Sequence, residues 1–305
     1  MEKIKLVVKL AIFIFFAFLN LIAIGQKNSD YLQYHTKLLK IEEYNSRGSF
    51  DSSIINYNDL FNLYEFVFAK DTYNACQIAA LQNHNVFEHF FYLCAKSGIK
   101  KYKLLNNKLI KSKFDADTAT LNALFNKGRD EYFKRIDIKL REEMIQRYNK
   151  EQKYKGSEKY YEICNENFNR ILELSKQGNF PGENIIGIDD DIENIIIPTL
   201  CHYPYSYRIL EPFLKEAVNN GKITPLSLMY VFGFNQTRKS ILYTNEIPVD
   251  TINFNIAYNI PFGKQSTDFV EVNKQRALKK IFSLSIQNSL RSLNSKYGID
   301  YLLGY

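Results

Sequence analysis

The sequence is poor in the residues that interrupt helices and cross-link chains. Among 305 residues there are 7 prolines, 13 glycines, 4 cysteines and no tryptophan. Prolines and glycines are sparse before about residue 178, and these two residues interrupt helices most strongly. The first half of the chain is therefore predicted to form long helices.

The four cysteines do not indicate a disulfide framework. Cys76 and Cys94 lie on either side of a predicted helical turn and could meet across an antiparallel helix pair. We expect buried free thiols there, because cysteine is among the most buried residue types. A bridge between the two is the alternative.

The sequence also lacks the common catalytic signatures. It contains no glycine-rich phosphate loop, no Gly-x-Ser-x-Gly elbow and no Cys-x-x-Cys pair. His84 and His89 are five residues apart, about 140° around a helix, so they cannot face one zinc ion as a metalloprotease pair does. These absences favour a non-enzymatic function, and the sequence indicates no cofactor.

The charge balance does not indicate nucleic acid binding. The chain has 40 basic and 33 acidic residues, and the surplus is spread along its length rather than gathered on one segment. One run, residues 99–115, carries lysines at six positions with no acid before Asp115. We interpret this run as a solvated connecting face, with a basic binding patch as the alternative.

The first 25 residues have the pattern of a secretory signal peptide. A basic start precedes an apolar run from Leu10 to Ile24, and Ala23–Gly25 places small residues where a signal peptidase cleaves. The run is about 15 residues long, shorter than the roughly 20 that span a bilayer, so an uncleaved anchor is the less favoured alternative. We expect cleavage near Gly25–Gln26, export to the periplasm or the cell exterior, and no stable membrane span in the mature chain.

Residues 26–115 are predicted to form helical hairpins. Tyr73–Leu81 and Phe87–Ala95 carry apolar residues at helical spacing, separated by the polar turn Gln82–Asn85 and closed by Gly98. A weaker unit precedes them at Tyr44–Leu60. Two consecutive helix–turn–helix units of about 35 residues suggest a repeat array.

The unit Tyr73–Gly98 resembles a tetratricopeptide-type repeat. Small residues recur on its first helix, at Ala75, Ala79 and Ala80. On its second helix, Phe87, Leu93 and Ala95 occupy the positions at which such a repeat packs. The resemblance implies stacked helix pairs with a groove for a peptide or partner protein. An ordinary helical hairpin is the alternative.

Residues 116–305 are predicted to form a second, mostly helical domain. Long helix is predicted over 116–161 and shorter helices over 165–176, 191–203, 207–219 and 269–293. Apolar and polar residues alternate over 240–261, which predicts a small β-ribbon. The predicted fold is thus mainly α: tetratricopeptide-like hairpins followed by a helical domain with a β-ribbon near 240–261.

About residues 135–300 also resemble an uncharacterised domain of secreted bacterial proteins. The likeness is carried by Phe180–Glu183, Ile186-Gly187, His202-Tyr203 and Asn220–Pro225. That domain is often found behind tetratricopeptide-like helices. The resemblance therefore implies architecture and export, and no particular chemistry.

His202 is the principal candidate for a catalytic residue. The resemblance places a histidine there, and polar residues such as Arg208 and Glu211 follow closely. Cys201 is adjacent, but neighbouring residues on a helix point about 100° apart and cannot form a nucleophile–base pair alone. A general base would pair His202 with Glu211 or with carboxylates of residues 189–191; a structural role bridging helices is the alternative.

Asp189 and Asp191 are the candidates for cation binding. A calcium loop starting at Asp189 would need glycine at its sixth position and glutamate at its twelfth, where this chain has Asn194 and Leu200. Capping of the following helix by these carboxylates is the simpler interpretation.

These patterns favour an exported binding or scaffolding protein that uses its N-terminal helical pairs to bind a protein or peptide. The alternatives are a hydrolase-like enzyme with a site around His202 and an envelope structural protein with no small-molecule site.

Overall fold

The computed structural model describes residues 29–188, 194–242 and 269–303, and in these ranges the chain is mainly helical without any strand. The helices are α1 (Tyr31–Ser46), α2 (Phe50–Leu63), α3 (Ala69–Leu81), α4 (Phe87–Ser97), α5 (Lys101–Asn106), α6 (Lys108–Ala116), α7 (Thr118–Arg135), α8 (Ile138–Lys153), α9 (Tyr160–Lys176), α10 (Glu183–Ile186), α11 (Ile196–His202), α12 (Ser206–Asn219), α13 (Pro225–Leu242), α14 (Phe269–Leu278), α15 (Leu284–Arg291) and α16 (Leu293–Tyr297). The predicted mainly helical fold is confirmed.

The predicted β-ribbon near 240–261 is not supported. Residues 240–242 belong to the end of α13, and residues 243–261 lie outside the described ranges. Helix α13 thus extends through residues 240–242, where the predicted alternation of apolar and polar residues begins.

The predicted hairpin of α3 and α4 forms where the sequence indicates it. Ala75 and Ala79 are fully buried on α3, and Phe90 and Phe91 are fully buried on α4. Small residues on one helix let the axis of the next approach, and the aromatic rings fill the space between them. Gly98 ends α4 with φ 109°, a left-handed conformation that favours glycine.

The long helix predicted over 116–161 is in fact two helices, α7 and α8. The Asp137 side chain accepts a hydrogen bond from Leu140 N at 2.9 Å, capping α8. The Asp137 N–H donates to Ile185 O at 2.8 Å, so α8 is also anchored to α10. The helix predicted over 269–293 is likewise interrupted, at residues 279–283 between α14 and α15.

The buried side chains form two hydrophobic cores. The first consists mainly of residues from α1–α7 and the second mainly of residues from α8–α13. The C-terminal part of the chain contributes to both, since Ile281 and Leu284 belong to the second core while Leu290 and Ile299 belong to the first. The chain therefore returns to its N-terminal helices at its end, and a domain boundary at residue 115 stays a prediction.

No helix in the described ranges combines the length and the apolar character needed to cross a membrane.

Candidate functional site

Helix α3 is buried along most of its length and yet carries a row of polar side chains. Lys70, Asn74 and Gln77 are four and three residues apart, so they lie on one face of the helix. Asn74 is 1% exposed and Gln77 is fully buried. Because a buried polar group without a partner costs about 1–3 kcal/mol, such a row requires a polar partner.

That partner is the main chain of residues 300–303 at the C-terminal end of the described chain. Asn74 Nδ2 donates to Leu302 O at 2.8 Å, and Asn74 Oδ1 accepts from Leu302 N at 2.8 Å. Gln77 holds Asp300, two residues before Leu302, in the same way. Its Nε2 donates to Asp300 O at 3.0 Å, and its Oε1 accepts from Asp300 N at 2.7 Å. Each amide thus holds both main-chain groups of one residue.

The segment Ile299–Leu303, which we call the C-terminal segment, is also held by its side chains. Ile299 is fully buried in the first core. The Tyr301 hydroxyl accepts a hydrogen bond from Asn45 Nδ2 at 3.0 Å and lies 3.2 Å from the Tyr57 hydroxyl. Burial raises the pKa of Tyr57 and Tyr301 well above the usual value for tyrosine, so both hydroxyls stay neutral hydrogen-bonding groups.

Neighbouring side chains fix the polar row of α3 in position. Asn107 Nδ2 donates to Gln77 Oε1 at 2.7 Å, while Asn107 Oδ1 caps α6 by accepting from Leu109 N and Ile110 N. At the start of α3, Ala69 N donates to the buried Glu183 carboxylate at 2.7 Å. Hydrogen bonds of this kind hold the amide of Gln77 in one orientation and place α3 against α10.

A buried charge cluster adjoins the same face of α3. Lys70 Nζ donates to Leu303 O at 3.2 Å and lies 3.4 Å from Asp71 Oδ1 and 3.9 Å from Glu42 Oε1. The Tyr34 hydroxyl donates to Asp71 Oδ2 at 2.7 Å. Burial raises the pKa of Glu42 to about 8, with Lys70 opposing this shift and Asp71 adding to it. One cation thus faces two carboxyl groups, and the same cation contacts the C-terminal segment.

An open groove of about 650 Å³ continues beside the C-terminal segment. Asp300 lines this groove together with Lys103 and Lys108, from the lysine-rich run interpreted above as a solvated face. The run forms α5 and α6, and Lys108 is exposed. Two lysines of this run therefore border the groove beside the C-terminal segment.

His202, the principal catalytic candidate from sequence, lies elsewhere, at the end of α11 and next to Cys201 of the second core. Its Nδ1 forms a short contact with the Glu151 carboxylate, which is fully buried and accepts a second hydrogen bond from Asn167 Nδ2 at 2.9 Å. The His202 ring lies 6.1 Å from the ring of Tyr160. This arrangement ties α11 to α8 and α9, and a carboxylate at Nδ1 also orients an imidazole for acid–base work.

The structure does not bring the other two catalytic candidates to His202. Glu211 forms an ion pair with Lys215 at 2.8 Å and accepts a hydrogen bond from the Tyr207 hydroxyl at 3.3 Å. Arg208 is exposed on α12. The carboxylate beside His202 is Glu151, which precedes it by 51 residues and which sequence spacing did not indicate.

The cation-binding candidates Asp189 and Asp191 lie outside the described residues. Within the ranges that the structure describes, no group of three or more histidine, cysteine, aspartate or glutamate side chains is placed to hold a metal ion. All four cysteines are buried free thiols, as expected for Cys76 and Cys94.

Sequence reasoning missed the residues that hold the C-terminal segment. The available signal was local: Asn74 and Gln77 are amides at helical spacing on a helix otherwise rich in alanine. Their partners are more than 220 residues away in sequence, so no spacing rule points to them.

No family model, curated protein or solved structure matches this chain. The likeness to tetratricopeptide repeats and to a domain of secreted proteins therefore stays a prediction.

Proposed function

We propose that the protein is an exported peptide- or protein-binding protein, and that the polar face of α3 holds an extended segment of the partner. The observation that carries this proposal is the pair of amide side chains, Asn74 and Gln77, each bonded to both main-chain groups of one residue. All polypeptides share those main-chain groups. A surface built to hold them can bind a segment in many sequence contexts, with side-chain contacts adding selectivity.

The spacing of the two amides supports recognition of a non-helical main chain. Asp300 and Leu302 are two residues apart, and both present their N–H and C=O groups to α3, while the Tyr301 N–H between them donates to Ile299 O at 3.0 Å. Each neutral hydrogen bond contributes about 0.5–1.5 kcal/mol. The four bonds made by Asn74 and Gln77 are thus enough to position a segment, while apolar contacts such as that of Ile299 supply further affinity.

The test uses the chain from residue 26 onward with the C-terminal segment weakened by Tyr301→Ser. A fluorescein-labelled peptide with the sequence of residues 297–303 is titrated against this variant and anisotropy is recorded. The same titration is made after adding Asn74→Leu and Gln77→Leu. A matched control adds Gln33→Leu, which removes an exposed amide from α1.

We expect saturable binding to the Tyr301→Ser chain and to its Gln33→Leu control, and roughly tenfold or greater weakening when both α3 amides are removed. Circular dichroism of each variant checks that the helices persist. Binding that is unaffected by loss of the α3 amides, or no binding in any variant, contradicts the proposed function.

Export belongs to the same proposal and rests on the pattern of residues 1–25. It predicts that the protein recovered from the periplasm or the medium begins at Gln26, which N-terminal sequencing would determine. A protein retained in the cell with Met1 in place contradicts export.

A hydrolase is the second candidate function, and the contact between His202 and Glu151 favours it. A carboxylate that orients an imidazole is two thirds of a catalytic triad. The test is hydrolysis of ester and peptide substrates by the wild type and by His202→Gln. Activity that disappears in the variant supports this function, and equal activity in both proteins excludes a role for His202.

A further inference from the structure

The C-terminal segment occupies the whole polar face of α3. Both main-chain groups of Asp300 and of Leu302 are taken by Gln77 and Asn74, and Leu303 O is taken by Lys70. A partner segment that uses the same amides can bind only after this segment has left. The two are therefore competitors for one set of hydrogen bonds.

The side-chain contacts of the segment define what an occupant of this site must contain. The hydroxyl of Tyr301 lies between Asn45 and Tyr57, which are both fully buried. If an occupant placed an apolar side chain there, the Asn45 amide would lose a hydrogen bond inside the core, at a cost of about 1–3 kcal/mol. A tyrosine at this position gives the Asn45 Nδ2 group an acceptor and the Tyr57 hydroxyl a hydrogen-bonding partner.

The groove beside the segment defines what precedes that tyrosine. Asp300, the residue before Tyr301, lines this groove together with Lys103 and Lys108. The groove is open and larger than the single side chain of Asp300 needs. A partner chain entering by this route would place further residues next to the lysines, where acidic side chains gain most.

We propose that the C-terminal segment is an intramolecular inhibitor of the α3 site, and that it competes with an extended partner segment carrying a tyrosine preceded by acidic residues. This inference rests on the proposed function and adds to it the chemistry of the partner and a means of control. Bound partner and docked C-terminal segment exclude each other. The apparent affinity for a partner is reduced by the fraction of molecules whose site is already occupied.

The experiment compares the wild-type chain with Tyr301→Ser, using three labelled peptides. The first has the sequence of residues 297–303 with two glutamates added before it, the second replaces its acidic residues with the corresponding amides, and the third replaces the tyrosine that matches Tyr301 with serine. Lys103→Gln with Lys108→Gln is measured in the Tyr301→Ser background. The exposed Lys37→Gln is the matched control for loss of positive charge.

We expect the acidic tyrosine peptide to bind Tyr301→Ser roughly tenfold or more tightly than the wild type. Its amide and serine versions should bind several-fold more weakly, and removal of the two groove lysines should abolish the preference for acid. Hydrogen exchange provides a measurement on the unmodified chain. Saturating peptide should increase the exchange of the amides of Asp300 and Leu302, because the displaced segment loses its hydrogen bonds.

The outcomes separate this inference from the proposed function. Equal affinity for wild type and Tyr301→Ser, with binding lost when Asn74→Leu and Gln77→Leu are added, means that the α3 site binds peptides but the segment does not inhibit it. Binding with no change in exchange at Asp300 and Leu302 means that the peptide binds away from the α3 amides, which contradicts both proposals. Loss of the preference for tyrosine or acid overturns the partner chemistry alone. Failure of every peptide to bind either chain, and to alter exchange in the wild type, overturns both proposals.

Discussion

Asn74 and Leu302 form a reciprocal pair, in which one side-chain amide holds the N–H and the C=O of a residue 228 positions away, each at 2.8 Å. Asn74 is 1% exposed, so water is not available to replace these bonds. The pair therefore couples the middle of α3 to the C-terminal segment. The free energy of unfolding of the first core should therefore respond to a change at Asn74 and to a change at Leu302.

Asn74→Leu is expected to lower the free energy of unfolding by about 2 kcal/mol or more, because it leaves the Leu302 N–H and C=O unpaired beside a buried apolar side chain. Urea unfolding followed by circular dichroism measures the change. Gln33→Leu is the matched control, since Gln33 is exposed on α1. Equal stabilities of the two variants would contradict a structural role for the reciprocal pair.

The local part of this arrangement was predictable from sequence, whereas the contact itself was not. Periodic apolar residues predicted α3 and α4, the polar run Gln82–Asn85 predicted their turn, and Gly98 predicted the end of α4. These features depend on residues within a few positions of one another. The docking of residues 299–303 depends on how the whole chain returns to α3, which no local pattern records.

The same distinction explains the outcome at His202. A histidine with polar neighbours was visible in the sequence, and Glu211 was a reasonable partner by proximity. In the structure Glu211 pairs with Lys215 one helical turn away, and the partner of His202 comes from α8. Pairing between helices depends on packing, so proximity in sequence did not indicate Glu151.

Gly128→Ala is expected to destabilise the contact between α4 and α7. A Cβ atom added at Gly128 would lie 2.6 Å from Tyr92 O and 2.8 Å from Ala95 Cβ, so the two helices would have to move apart. The cost of such overpacking is about 1–3 kcal/mol and opposes a gain in helix propensity of about 1 kcal/mol. Thermal unfolding measures the net loss.

Asn126→Ala is the control for this change, because Asn126 is exposed on the same helix. Alanine there should leave stability unchanged or raise it slightly through helix propensity. A Gly128→Ala chain as stable as this control would show that α4 and α7 are not in close contact at Gly128.

Glu151→Leu is expected to lower the free energy of unfolding by about 2–4 kcal/mol, because it removes the partner of a part-buried histidine and of Asn167. Urea unfolding is the measurement. Glu166→Gln on the neighbouring helix breaks an exposed ion pair with Lys150 and should cost less than about 1 kcal/mol. Similar costs for the two variants would contradict the buried network around Glu151.

Glu42→Gln is expected to change how stability depends on pH. Burial raises the pKa of Glu42 to about 8 in the folded protein, from an ordinary value near 4.5. The folded state then keeps a proton that the unfolded state has released. The stabilisation from this proton is complete below about pH 4.5 and is lost as the pH rises towards 8, at about 1.4 kcal/mol per pH unit.

Glutamine copies the protonated acid but does not titrate, so Glu42→Gln should gain stability relative to the wild type at each step from pH 5 to pH 8. Urea unfolding midpoints at several pH values give the difference curve. Glu43→Gln is the control, because Glu43 is the neighbouring carboxylate and its side chain is 43% exposed. The change measured for Glu43→Gln is subtracted from that for Glu42→Gln. If the Glu42→Gln curve ran parallel to that of the wild type, Glu42 would carry its charge in the folded protein at neutral pH, with Lys70 compensating for its burial.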